Sequence, residues 1–101
     1  MKEITEKLLQ KMERASGIEV ARILSKSRKS PLPAIRWMIG RELIRHGYSS
    51  VVAASELNID HATLLYGRKK LKDMRCGDRH WTLEIEIEEK FLYLLGKPIN
   101  Q

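Results

Sequence analysis

The chain has one cysteine, three prolines and a single phenylalanine among its 101 residues. With Cys76 alone no intrachain disulfide forms, and the opening residues are charged helix formers, not an apolar leader, so the cytoplasm is the expected compartment. No apolar run approaches the roughly 20 residues of a membrane span, so a membrane partner is not expected. There is no GxxxxGK[ST], hence no P-loop and no expected nucleotide. Repeats and low-complexity tracts are missing, and no linker is long enough to divide the chain. The reading is one domain over residues 1–101, with a core from 18 to 74 and a final helix over 82–95.

Acidic residues are also short, 13 against 19 Lys and Arg, for a net charge of +6. The excess sits between Arg22 and Arg79, whereas Glu84, Glu86, Glu88 and Glu89 crowd the last segment. A polyanion fits such a field, although an ordinary solvated basic surface has the same charge.

What is present is helical periodicity. Ile4, Leu8, Leu9, Met12 and Ala15 recur at helix spacing over Lys2 to Ala15, and Gly17 stands where the helix would stop. A short second helix is expected over Ile18 to Ser25. The run Ser25-Lys26-Ser27-Arg28-Lys29-Ser30 has no apolar member, and Pro31 and Pro33 follow it, so it reads as a basic loop before a helix start. Such a start favours phosphate through both charge and free backbone N–H groups. Pro33 to His46 is the expected central helix, stopped by Gly47, with Trp37 in the core and Arg36, Arg41 and Arg45 projecting. Thr82 is the expected cap of the last helix. There Leu83, Ile85 and Ile87 alternate as in a strand, but the Glu content and Phe91, Leu92, Leu94 and Leu95 favour a helix. The fold class is therefore all-α, a compact bundle of about six helices.

Ser49 to Leu71 is the most informative stretch. Ser49 or Ser50 caps a helix over Val51 to Leu57, and Asp60 caps another reaching about Met74, with Leu64, Leu65 and Leu71 expected inward. Small residues at Ala53 and Ala54, apolar ones at Leu57, Ile59 and Leu64, and a break at Asn58 match helix-turn-helix spacing, in which a thin first helix crosses the second closely. The second helix then begins with Asp60-His61-Ala62-Thr63, short polar side chains at the end that would meet base edges. Arg68-Lys69-Lys70 lies late in that helix, where cations also complement the macrodipole.

Chemistry of other kinds lacks a constellation. Cys76 and His80 are four apart, but no second closely spaced ligand pair accompanies them, so neither zinc nor another metal or cofactor is expected. Asp60 and His61 are adjacent and point differently on a helix, with no nucleophile elbow near them, and an enzyme is not expected.

The segment Val20-Ala21-Arg22-Ile23-Leu24-Ser25-Lys26, the triplet Arg41-Glu42-Leu43 and above all Asp60-His61-Ala62-Thr63-Leu64 resemble the C-terminal, DNA-box-binding domain of the bacterial replication initiator DnaA, within the Trp-repressor-like helix-turn-helix proteins. The likeness runs from about Ile18 to Met74. It implies a bacterial or phage protein that binds double-stranded DNA as a monomer or homodimer, in replication initiation or its regulation. It further implies base contacts from Asp60, His61, Ala62 and Thr63, and backbone or minor-groove contacts from Lys26, Arg28, Lys29, Arg36, Ser50, Arg68 and Lys69. Leu57-Asn58-Ile59 departs from the family's Gly-Gly-Arg turn, Ala62 replaces a hydroxyl, and the ATPase domain is absent. Two other readings remain: a Trp-repressor-like regulator on a palindrome, and a helical adaptor for an acidic protein.

Overall fold

Apolar periodicity and glycine stops set the helix lengths. The computed structural model describes residues 1–76 and 81–97, and these form six helices and no strand. Helix α1 spans Glu3–Ser16, α2 Val20–Ile23, α3 Leu32–Arg45, α4 Ser50–Glu56, α5 His61–Asp73 and α6 Thr82–Leu94. Gly17 closes α1 with φ 74° and donates its N–H to the Glu13 carbonyl. Gly47 closes α3 with φ 101°. There Gly47 N–H reaches Ile44 O and Tyr48 N–H reaches Leu43 O, a pair of bonds that satisfies two carbonyls left free at a helix end.

Helix α3 is the centre, buried at Leu32, at every position from Ala34 to Gly40, and at Glu42 and Leu43. The other five helices pack around it, with α1 and α6 also lying against each other. Its contact with α5 is the tightest: an added Cβ at Gly40 would stand 2.5 Å from Leu64 Cδ1, and one at Gly67 would collide with the Trp37 ring.

Several expectations change here. The second helix shrinks to Val20–Ile23, because Leu24 already has the last helical geometry and Arg36 of α3 captures the carbonyls of Ile23 and Ser25. The arginines of α3 do not project freely. Arg36 is 5% exposed, Arg41 pairs with Glu88 at 2.8 Å and Arg45 with Glu42 at 2.7 Å. The strand-or-helix ambiguity over 82–95 resolves as helix, with Glu84, Ile87, Glu88, Phe91 and Leu92 on the inner face and Leu83 outward. Thr82 is the first residue of that helix, while Trp81 holds the cap position.

The buried carboxylates have partners. Glu88 accepts from both Arg41 and Arg75, Glu42 also meets Lys97 at 3.0 Å, and Ser30 of the basic loop donates to Glu84. Such pairs repay the cost of desolvating a charge only when the remaining lone pairs are satisfied too. Among the described residues no helix is long and apolar enough to cross a membrane.

Candidate nucleic-acid interface

The unit made by α4, its turn and α5 is defined at each end by local hydrogen bonds. Ser49, not Ser50, caps α4: its Oγ accepts the Val52 N–H at 3.1 Å. The helix ends on Asn58, whose φ of 59° is the left-handed conformation that asparagine tolerates better than other non-glycine residues. Asn58 N–H then reaches Ser55 O and Ile59 N–H reaches Ala54 O. This is the glycine-type helix stop, with the same bond spacing as at Gly47, made here with Asn. Asp60 caps α5 as expected, its Oδ2 accepting the Ala62 N–H at 3.0 Å.

That geometry leaves His61, Ala62 and Thr63 all exposed on the first turn of α5, while Leu64, Gly67 and Leu71 face inward. Leu65, expected inward, is instead 41% exposed, since the inner face of α5 follows positions 64, 67 and 71. His61 Nε2 lies 2.7 Å from Ser50 Oγ, so the first turns of α4 and α5 are tied together.

The basic loop is ordered by its own serines. Ser25 Oγ accepts the Ser27 N–H and Ser27 Oγ accepts the Lys29 N–H, both at 3.3 Å. Side-chain acceptors two residues back are a recurrent way to stabilise a turn. The loop is also stitched to the α4–α5 turn, because Asn58 Nδ2 donates to Leu24 O at 3.3 Å and Lys26 Nζ to Asn58 O at 3.5 Å. Between them lies a cleft of about 550 Å³, with Lys26, Arg28 and Pro33 on one wall and Asp60, Thr63 and Tyr66 on the other.

The expected contact residues therefore divide. Lys26, Arg28, Asp60 and Thr63 meet at the cleft, with Lys29 exposed beside it. His61 and Ser50 lie together on the opposite flank of the α5 start. Arg68 and Lys69 sit roughly 12 Å farther along α5. Arg36 touches the cleft but donates inward, to Ile23 O at 2.6 Å and Ser25 O at 2.8 Å. Burial lowers its pKa, and those carbonyls, not the cleft, take its Nε and Nη2 hydrogens.

Sequence reading missed Tyr66 and the role of Asn58. Tyr66 stands edge-on to Trp37, with ring centroids 6.1 Å apart, and Lys70 Nζ lies 5.4 Å from its centroid. The helical offset of three from Thr63 was the available signal. Lys26, Arg28, Lys29 and Lys69 form no ion pair among the described residues, unlike Arg41 and Arg45 of α3. Among the described residues no group of three or more His, Cys, Asp or Glu is placed to hold a metal, and His80 of the Cys76–His80 pair lies outside them. No family model matches the chain, and no curated protein or solved structure matches it at a significant level.

Proposed function

We propose that this chain binds duplex DNA sequence-specifically, with α4 and α5 acting as a helix-turn-helix and the first turn of α5 in the major groove. One observation carries the reading: an exposed helix start, His61-Ala62-Thr63, faces out beside a cleft whose opposite wall holds Lys26 and Arg28, neither of which forms an ion pair among the described residues. Phosphates are drawn by cations at a fixed spacing, and the order imposed by Ser25 and Ser27 lowers the entropy lost when the loop closes on them. The imidazole of His61 can donate to, or accept from, a base edge, and Thr63 offers a hydroxyl and a methyl. Lys29, Arg68 and Lys69 extend the backbone contact. The resemblance of Asp60-His61-Ala62-Thr63-Leu64 to the initiator's DNA-box domain supports a box-like, asymmetric target and a role in replication initiation or its regulation.

Selection from a random duplex library tests this. The expected result is a short asymmetric site whose binding weakens with salt, each neutralised phosphate adding about −0.9 to the log–log slope. His61→Ala should change the bases selected. Salt-independent affinity, or an unchanged selected sequence in His61→Ala, would overturn the reading. A palindromic site bound by a dimer would move the assignment to a Trp-repressor-like regulator, and failure to bind any duplex at low salt would move it to an adaptor for an acidic protein.

A further inference from the structure

Helix α5 carries one large apolar side chain that neither the core nor the cleft accounts for. Leu65 is 41% exposed, and its neighbours on the same face, Ala62 and Lys69, are exposed as well. The flanks of the helix have other contacts. Thr63 and Tyr66 line the cleft, and His61 is bonded to Ser50 of α4. Successive helical positions turn by about 100°, which puts Leu65 between those flanks, on the face opposite Leu64, Gly67 and Leu71. A lone surface leucine is ordinary in itself. This one lies on the outward face between the cleft and the His61–Ser50 pair, on the His61 side of its midline, and Lys69, one turn along, forms no ion pair among the described residues.

The charge around this face matches a duplex, and the major groove offers one apolar group among its donors and acceptors, the C5 methyl of thymine. We propose that Leu65 is a specificity-determining residue that packs on a thymine methyl, with the Ala62 methyl beside it, so that the recognised site contains a thymine at the step Leu65 meets. The inference rests on the DNA-binding reading above and adds a residue and a base feature to it.

Deoxyuridine lacks only that methyl. Each thymine of the selected duplex is replaced singly by deoxyuridine, and affinities are measured for the unmodified protein, Leu65→Ala and Thr63→Ser. At one position the unmodified protein should lose about fourfold, the equivalent of one methyl's burial. Leu65→Ala should bind the thymine duplex more weakly and show no further loss at that position. Thr63→Ser, which deletes the methyl on the cleft side, should retain the loss there. If no deoxyuridine weakens the unmodified protein, or if Leu65→Ala loses as much at every position, Leu65 reads no methyl although DNA binding stands. If no duplex binds at low salt, the DNA reading and this inference fall together.

Discussion

Arg36 and Lys29 look alike in the sequence, two cations near one helix start, and the structure gives them different surroundings. Arg36 closes the end of α2 by donating to the carbonyls of Ile23 and Ser25, and it is 5% exposed. Hydrogen bonds made by a charged group contribute roughly 1.5–3 kcal/mol, and truncating the donor leaves acceptors poorly satisfied. Arg36→Ala should therefore lower unfolding free energy by about 2–3 kcal/mol in urea titration. Lys29 is exposed and makes no ion pair among the described residues. Lys29→Ala should leave stability within ~0.5 kcal/mol while weakening all duplexes alike and flattening the salt slope by about one unit. An Arg36→Ala protein of unchanged stability would show that the carbonyls of Ile23 and Ser25 do not need it.

The placement of α5 depends on a glycine. At Gly67 an added methyl would collide with Cγ, Cδ1 and Cδ2 of Trp37, a ring held between Tyr66 and Trp81 with centroid distances of 6.1 and 6.5 Å. Alanine gains roughly 0.5–1 kcal/mol in helix propensity, but overpacking a well-filled contact costs typically 1–3 kcal/mol. Packing decides the sign. Gly67→Ala should destabilise by about 1–2 kcal/mol and weaken DNA binding by moving the exposed face of α5, and a variant as stable as the parent would refute the tight contact. Nothing local marks Gly67 for this role, since the atom it accommodates is thirty residues away in sequence. Helix starts and stops were legible because their causes are local: Gly17, Gly47 and Asp60 act on neighbouring N–H and carbonyl groups. Long-range partners were not. The inward Glu84 and Glu88 blurred the period of α6 because Ser30, Arg41 and Arg75 receive them from elsewhere in the chain. Leu65 was expected inward because leucine usually is, and only the register fixed by Leu64, Gly67 and Leu71 turns it out.

Across the whole molecule, charge is sorted by partner. Carboxylates of α3 and α6 hold Arg41, Arg45, Arg75 and Lys97, whereas Lys26, Arg28 and Lys29 of the basic loop form no ion pair among the described residues. Glu56 joins the start of α1 to α4 instead, accepting the Lys2 N–H at 2.8 Å and the Thr5 hydroxyl at 2.7 Å. The Lys2 N–H first, and then the Thr5 hydroxyl, hold this carboxyl below the usual glutamate value. A folded-state pKa below the unfolded one means that the unfolded chain binds the proton more readily. The stabilisation is thus fully present above the unfolded value of about 4.3 and is lost as pH falls through the lower folded value. Glu56→Gln should therefore be less stable than the parent at neutral pH, and the gap should narrow as urea titrations are repeated from about pH 5 down to pH 3. Taking the difference between the two proteins removes contributions that they share. A gap that stays constant over that range would mean that Glu56 joins α1 to α4 by shape and hydrogen bonding alone. Because Glu56 contacts neither the basic loop nor the first turn of α5, the substitution should leave the selected DNA sequence unchanged at neutral pH.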